Sequence, residues 1–365
     1  MSNFPRTVEE ITPEWLTQVL RESGAIRDAR VDSFESTNVG DGKGILAEVS
    51  RVDLNYSKSD NQAPESLIVK LSLADDARRT QLQHVYQTEV NFYQQLAPET
   101  GLKTPEVYFA DFDPETGYSN LVLEDLSGMR SPSDTVEPSI EDYGNALDSL
   151  ASMHAKWWCA DRLNDFPWLP VINDPRFHQF FTEFFTESID LFLDLAGNSI
   201  PLGFEKIARN MYANFDVIWE VVNTLPITLT HGDFRLANMF FDDSSGENPV
   251  VIFDWQTTVI SFAGYDLAKF IRDGMSIDER RADEASLIKR YHTGLVNGGL
   301  NGYSHDDLMY SLRVGSILLM FRELRVLRMQ ILTGASTERI QARVDSMCIR
   351  DQTIVDWNCE EVIPK

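Results

Sequence analysis

The sequence predicts an α+β fold of two lobes, a small β-rich N-terminal lobe with one main helix and a larger, mainly helical C-terminal lobe. Strand-like runs dominate up to about residue 125, whereas helical patterns dominate after it. A chain of 365 residues is long for one compact core, and 43% hydrophobic residues can bury a substantial one. We therefore expect lobes formed by residues 1–125 and 126–365.

The first lobe is expected to begin with a short helix. Thr12 is a candidate N-cap, Pro13 occupies the first helical position, and apolar residues follow at helical spacing to about Ser23. Residues 31–50 predict two strand-like pieces on either side of a glycine-rich turn. Its alternating glycines, which allow the backbone to lie close over a bound group, are Gly40, Gly42 and Gly44.

A lysine and a glutamate then stand among apolar residues. Lys70 interrupts a β-like run at residues 67–71, and Glu89 lies on the apolar stripe of a helix predicted over about 76–97. A buried carboxylate is costly unless a cation pairs with it, so we expect an ion pair between Glu89 and Lys70. The alternative is a lysine that extends to solvent and a glutamate on an exposed face.

The first lobe is expected to end after two more strands, at residues 105–112 and 119–124. The second strand leads into Glu124, Asp125 and Leu126, which we interpret as the crossing between the lobes. Strand-like runs become rare after this point.

The second lobe is predicted to be mostly helical. Ser139 should cap a helix that runs to Trp157, with His154 on its apolar stripe as a hydrogen-bonded core histidine. The aromatic-rich segment 168–193 predicts a further helix, as part of the core or as a wall of a ligand pocket. Three more helices are expected near residues 284–297, 305–332 and 336–356.

One polar loop carries the residues best suited to chemistry. His231 and Asp233 follow an apolar run, Asn238 comes five residues after Asp233, and Asp254 ends a later hairpin. We expect Asp233, Asn238 and Asp254 to converge on one edge. A carboxylate can deprotonate a hydroxyl, and oxygen ligands can hold Mg²⁺ on phosphates, so the pattern indicates phosphoryl transfer. The alternative is a hairpin whose loops are merely polar. Asp266, farther on, is expected to brace this loop or cap a helix.

The motifs together resemble the aminoglycoside phosphotransferase and choline kinase superfamily, in particular its ecdysteroid-kinase-like branch. The resemblance rests on residues 12–16, 40–44, Lys70, Glu89, 123–126, 150–155, 231–233 and 254–256. It implies a bilobal protein-kinase-like fold, ATP and Mg²⁺ as cofactors, and phosphorylation of a small-molecule hydroxyl.

The resemblance also implies a role for each matching residue. Asp233 would be the catalytic base, Asn238 and Asp254 the metal ligands, and Lys70 the phosphate clamp that Glu89 holds. The remaining members of the implied site are Gly40, Gly42, Gly44, Glu124 and Leu126 at the nucleotide, and His231 and Arg235 beside the base. Several relatives have histidine in the place of Arg235.

Composition limits the partners that we expect. A net charge of −25 argues against nucleic acid and anionic membranes, which bind clustered Lys and Arg. The three cysteines lack metal-ligand spacing and indicate a reducing compartment. The sequence shows no apolar signal core and no run of about 18 apolar residues. A cytoplasmic location is therefore expected. The protein is expected to be a monomer or a homodimer.

Two other functions compete with a small-molecule kinase. A protein kinase is disfavoured because residues 254–266 are too short for an activation segment and no Ala-Pro-Glu motif follows. A nucleotide-binding pseudokinase that serves as an interaction module would be expected to lack some of the polar residues named above. The acceptor stays open among antibiotics, steroid-like molecules, amino alcohols and sugars.

Overall fold

The computed structural model describes residues 4–39, 46–58, 62–132, 137–244 and 249–363. The chain forms two compact units, and the predicted α+β class is confirmed. The first unit comprises Met1–Pro132 and Met239–Thr257, and the second comprises Ser133–Asn238 and Thr258–Lys365. The assignment of nucleotide binding to residues 1–125 and of acceptor binding to residues 126–365 stays a prediction.

The first unit is built on an antiparallel sheet of five strands. They are β1 (Val31–Asn38), β2 (Ala47–Tyr56), β3 (Ser66–Ser72), β4 (Val107–Phe112) and β5 (Ser119–Glu124), in the order β1-β2-β3-β5-β4. In the central strand β3, buried apolar residues alternate with less buried ones, and Lys70 pairs with Val49 on one side and Leu121 on the other. The sheet therefore fixes the position of Lys70 from both edges.

Helices pack against this sheet at the predicted places. Helix α1 (Pro13–Glu22) begins at Thr12, whose hydroxyl accepts the Trp15 N–H at 3.1 Å. Helix α2 (Asp76–Asn91) continues through a π-helical turn, Phe92–Leu96, into α3 (Ala97–Thr100). A π-turn inserts an extra residue into the helix and often occurs near functional residues. Here it begins three residues after Glu89.

The second unit is mainly helical, as predicted. Its helices are α4 (Ile140–Lys156), α5 (Pro175–Thr182), α6 (Phe185–Ala196), α7 (Phe204–Ala213), α8 (Phe215–Thr224), α9 (Ala263–Asp273), α10 (Ile277–Asn297), α11 (His305–Leu332) and α12 (Thr337–Asp356). Helices α9 and α11 pack closely because Gly264 and Gly315 have no Cβ. A Cβ at either position would collide with the backbone of the other helix. This close approach brings polar side chains of both helices towards the loop that carries His231 and Asp233.

Two short pairs of strands flank that loop. Strand β6 (Ile227–Thr230) pairs with β9 (Val259–Phe262) in the second unit, and β7 (Met239–Phe241) pairs with β8 (Val250–Ile252) in the first. The strand-like runs before and after the loop are thus confirmed, although they belong to different sheets. The convergence of Asp233, Asn238 and Asp254 stays a prediction, because Asp254 belongs to the first unit and the other two to the second.

The aromatic-rich segment corrects one prediction. Residues 168–193 contain two helices, α5 and α6, instead of one, because Glu183 leaves the helical conformation (ψ = 130°) and Phe184 follows it with φ = 65°. A left-handed backbone conformation cannot continue a right-handed helix. Helices α7 and α8 and strand β9 were not predicted.

His154 is the core residue that the sequence predicts. Its ring is fully buried, with Nδ1 2.6 Å from the Tyr291 hydroxyl. Within the described part of the chain, no helix combines the length and the hydrophobicity needed to cross a bilayer.

Candidate functional site

Lys70, Glu89 and Asp254 form a charged group in the first unit, which we call the lysine cluster. Lys70 Nζ lies 2.8 Å from Glu89 Oε1 and 2.7 Å from Asp254 Oδ1. The glutamate side chain is only 3% exposed, whereas that of Asp254 is 23% exposed. The predicted ion pair is confirmed, and Asp254 joins it as a second carboxylate.

The lysine cluster contains one cation and two carboxylates. Burial opposes the charge of Lys70, but Asp254 and Glu89 outweigh this effect and raise its pKa above the usual range. Burial also raises the pKa of Glu89 to about 7, against the opposing influence of Lys70. With both carboxylates ionised, the cluster carries a net negative charge, so a further cation near Asp254 is electrostatically favoured.

Asp254 is held in an unusual backbone conformation. Its φ of 65° lies in the left-handed region, which costs a non-glycine residue about 1 kcal/mol or more. The next residue offsets this cost, because the buried Trp255 ring donates from Nε1 to Ile252 O at 3.0 Å. The ring also stacks on Phe92 in the π-turn, with centroids 4.0 Å apart and planes at 8°. The helix that carries Glu89 is thus fastened to the residue after Asp254.

We expect Glu89→Ala to destabilise the first unit by about 1–3 kcal/mol, less than the loss of a sole partner would cost. The reason is that Asp254 still pairs with Lys70. Lys70→Met should cost more, roughly 3–5 kcal/mol, since it leaves two carboxylates without their shared cation. Denaturant unfolding of the two variants measures the difference. Equal stability of Lys70→Met and wild type would contradict the paired arrangement.

Asp233 lies at the centre of a second group, the aspartate cluster, which also contains Arg235, Lys269 and Arg322. Lys269 Nζ lies 3.3 Å and Arg322 Nη2 3.5 Å from Asp233 Oδ1, and Arg235 Nε lies 3.2 Å from Oδ2. Burial alone would raise the pKa of Asp233, but the three cations hold it far below the usual range. The carboxylate is therefore ionised at neutral pH.

Asp266 braces the backbone of the loop that carries His231, Gly232 and Asp233. This fully buried carboxylate accepts the N–H of His231 at 2.6 Å and that of Gly232 at 2.8 Å. Gly232 has φ = 80°, a conformation that favours glycine, so the turn before Asp233 depends on this residue. The predicted bracing contact of Asp266 is confirmed.

His231 and Asn238 both bond to Asp233. The His231 ring is buried, and its Nδ1 accepts the Asp233 N–H at 3.3 Å. Asn238 Nδ2 donates to Asp233 O at 2.9 Å and to Oδ2 at 3.3 Å. These bonds use the amide nitrogen of Asn238 and leave its amide oxygen outside the contact with Asp233.

The remaining predicted residues are placed as follows. Gly40, Gly42 and Gly44 lie outside the described residues. The backbone N–H of Glu124 donates to Glu106 O at 2.8 Å, and the carbonyl of the buried Leu126 accepts the Met129 N–H at 2.9 Å. Their roles in nucleotide binding stay predictions.

Two members of the site, Lys269 and Arg322, were not predicted from the sequence. Each lies in a buried helical stretch, and a cation among buried residues was the available signal. Lys70 carries the same signal, since it interrupts an apolar strand. The partner of these two cations could not be named, because it lies far away in the sequence.

The amide oxygen of Asn238 and the carboxylate oxygens of Asp254 are of the chemical type that magnesium prefers as ligands. Among the described residues, no group of three or more His, Cys, Asp or Glu side chains could hold a metal ion. Asn238 and Asp254 belong to different units, so their joint binding of a metal ion stays a prediction.

Comparison with known proteins identifies the family. Residues 41–300, more than half of the chain, match the ecdysteroid kinase-like family. This chain belongs to that family. The predicted ecdysteroid-kinase-like family and the predicted activity, that of a small-molecule kinase, are thereby confirmed. No match to a curated protein was found.

Solved structures share the fold of this ecdysteroid kinase-like protein. The GDP and kanamycin complex of APH(2″)-IIIa aligns with a TM-score of 0.56 at 13% identity, covering 94% of this chain and 99% of that chain. Choline kinase from Cryptosporidium parvum Iowa II gives 0.56 at 11% identity, with 95% and 98% covered. Macrolide 2′-phosphotransferase MphH from Brachybacterium faecium gives 0.51 at 12%, with 92% and 98% covered. The predicted kinase-like fold is confirmed.

Proposed function

We propose that this protein transfers the γ-phosphoryl group of ATP to a hydroxyl of a small molecule, with Asp233 as the catalytic base. The observation that carries the proposal is the fixed, ionised carboxylate of Asp233 on a loop whose backbone is bonded to Asp266. A base must be deprotonated and held still before the acceptor arrives. Both conditions are met within the second unit.

The low pKa of Asp233 suits phosphoryl transfer. In a loose transition state the bond to the incoming oxygen is little formed, so orientation of the hydroxyl matters more than early removal of its proton. Asp233 would accept a hydrogen bond from the acceptor hydroxyl and take its proton late. We propose that His231 acts on Asp233 as a positioning residue, because its buried ring bonds to the loop backbone. Arg235 would lie at the acceptor side of Asp233.

The nucleotide would be held mainly by the first unit. Lys70, oriented by Glu89, would bind phosphate oxygens, and Asn238 and Asp254 would bind Mg²⁺. Magnesium, when bound, supplies positive charge that neutralises the phosphates. The remaining contacts that we propose for the nucleotide are the glycines of the turn and the backbone at the lobe crossing, Gly40, Gly42, Gly44, Glu124 and Leu126. The GDP complex of APH(2″)-IIIa supports a nucleotide site in this fold.

Nucleotide binding is expected to require magnesium. Two protein ligands cannot replace the waters of the ion, so the metal and the phosphates should bind together. Calorimetry with ATP is expected to show affinity about tenfold or more weaker in EDTA than in Mg²⁺. Asp254→Asn should reduce this dependence, whereas Asp243→Asn, at an exposed position of the same unit, should not. Equal affinity with and without the metal would exclude the proposed ligand role.

The transferase activity itself can be tested with γ-labelled ATP and a metabolite extract. A labelled small-molecule product is expected with the wild-type protein and is expected to disappear with Asp233→Glu. If ATP binds in a magnesium-dependent way but no extract yields a labelled product, the pseudokinase alternative replaces this proposal.

A further inference from the structure

The aspartate cluster contains more positive charge than Asp233 needs. One carboxylate is neutralised by one cation, yet Arg235, Lys269 and Arg322 all lie 3.2–3.5 Å from its oxygens. The whole chain carries a net charge of −25, so such a concentration of cations runs against its overall composition. The excess therefore calls for a specific explanation.

Lys269 is already neutralised by a second carboxylate. Its Nζ lies 2.5 Å from Asp273 Oδ2, and both side chains are less than 10% exposed. Asp273 in turn pairs with Arg350 at 2.8 Å, and Arg350 with Glu323 at 3.1 Å. Lys269 thus belongs to a buried chain of alternating charges and is part of the framework of the second unit.

Arg235 and Arg322 differ from Lys269 in this respect. Within the described ranges, Asp233 is the one carboxylate that either of them pairs with. Arg322 Nη1 donates a hydrogen bond to Gly232 O at 2.7 Å, and the Arg322 side chain is 22% exposed. The Arg235 side chain is 39% exposed. Arg322 Nη1 also donates to the Tyr265 hydroxyl at 3.5 Å, and both guanidinium groups are partly exposed beside Asp233.

Two guanidinium groups and an ammonium around one carboxylate repel each other. Their partial burial strengthens this repulsion, because water screens it less than on an open surface. A second anion at the cluster would relieve it and would accept charge-assisted, bidentate hydrogen bonds from the planar guanidinium groups. A cationic acceptor would instead add to the repulsion among the three cations.

We propose that Arg322 and Arg235 form an anion subsite, and that the acceptor carries a carboxylate or phosphate group in addition to the hydroxyl that is phosphorylated. This inference rests on the proposed function, since it places the acceptor beside Asp233. It narrows the substrate class from any small alcohol to hydroxy acids and phosphorylated alcohols. It also makes Arg322 and Arg235 specificity-determining residues.

The test uses probes that differ only in charge. Hydroxybutyrate, aminobutanol and butanediol place a carboxylate, an ammonium or a second hydroxyl at the same distance from the terminal hydroxyl, and longer homologues extend the series to decyl chains. Ligand-observed NMR at low salt, without nucleotide, measures binding to the wild-type protein. Hydroxyalkyl phosphates of the same lengths distinguish a phosphate from a carboxylate. The same titrations are repeated with a non-hydrolysable ATP analogue and Mg²⁺, because the analogue then occupies the position of the transferred phosphoryl group and the probes cannot bind there.

We expect the carboxylate or phosphate probes to bind and the ammonium probes not to bind. Arg322→Gln and Arg235→Gln should each weaken binding of the anionic probes by about tenfold or more, and Arg322→Lys should retain part of it. Arg281→Gln is the matched control, because it makes the same charge change at an arginine that has its own carboxylate, Asp356. Melting temperatures establish that each variant is folded.

Three results would overturn the subsite. They are binding of the ammonium probes as tightly as the anionic ones, binding of no anionic probe, and unchanged binding in both glutamine variants. ATP binding and labelled-product formation, measured on the same preparations, report on the proposed function separately. A protein that transfers phosphate to uncharged alcohols would keep that function and lose the subsite. If anions bind but ATP does not, the anion subsite is supported and the proposed kinase mechanism is contradicted.

Discussion

Asp233→Glu is expected to lower turnover by about 10²–10⁴-fold while leaving the melting temperature near that of the wild type. Glutamate keeps the negative charge that Arg235, Lys269 and Arg322 require, so the fold should tolerate it. Its extra methylene displaces the carboxylate from the position where it would orient the acceptor hydroxyl. Turnover and melting temperature on one preparation separate chemistry from folding.

Asp233→Asn is expected to behave differently from Asp233→Glu. Loss of the charge leaves Arg235 and Arg322 without their carboxylate, so stability should fall by roughly 3 kcal/mol together with turnover. Asp216→Glu, at an exposed carboxylate on α8, provides the control for a simple increase in chain length. Wild-type turnover in a folded Asp233→Glu protein would remove Asp233 from the mechanism.

The second large effect is expected at Asp266. In Asp266→Asn, one of the two oxygens that accept the His231 and Gly232 N–H groups becomes an NH₂ donor. A buried N–H without an acceptor, now facing another donor, should cost about 3 kcal/mol and displace the loop. A shift of about 1 Å at a reacting group can reduce turnover by about 10²-fold, so activity per folded molecule should fall as well.

Asp351→Asn is the matched control for this experiment. Asp351 is also a fully buried carboxylate of the second unit, but it pairs with Arg272 at 2.6 Å and does not contact the loop. Its replacement should lower stability while preserving turnover per folded molecule. A stable, fully active Asp266→Asn protein would show that the loop keeps its conformation without the brace.

Several parts of the site could be predicted from the sequence because the signals are local. Lys70 and Glu89 each interrupt an apolar pattern, and a buried charge without a partner is unfavourable enough to demand one. Asp266 could be predicted as a brace or a helix cap because it follows a glycine at the start of a helix, which is also a local signal. In the aromatic-rich segment, by contrast, apolar residues at helical spacing continue across Phe184, and periodicity cannot reveal the left-handed residue that divides α5 from α6.

By itself, the sequence determined the family, most helices and strands, and the polar residues around Asp233 that bear on chemistry, since motif spacing and side-chain periodicity are properties of short segments. The tertiary structure alone decided which cations surround Asp233. Arg322 lies 89 residues from Asp233 in the chain, and it reaches that carboxylate because α9 and α11 pack closely through Gly264 and Gly315. Such contacts depend on how helices pack, and no local pattern contains that information.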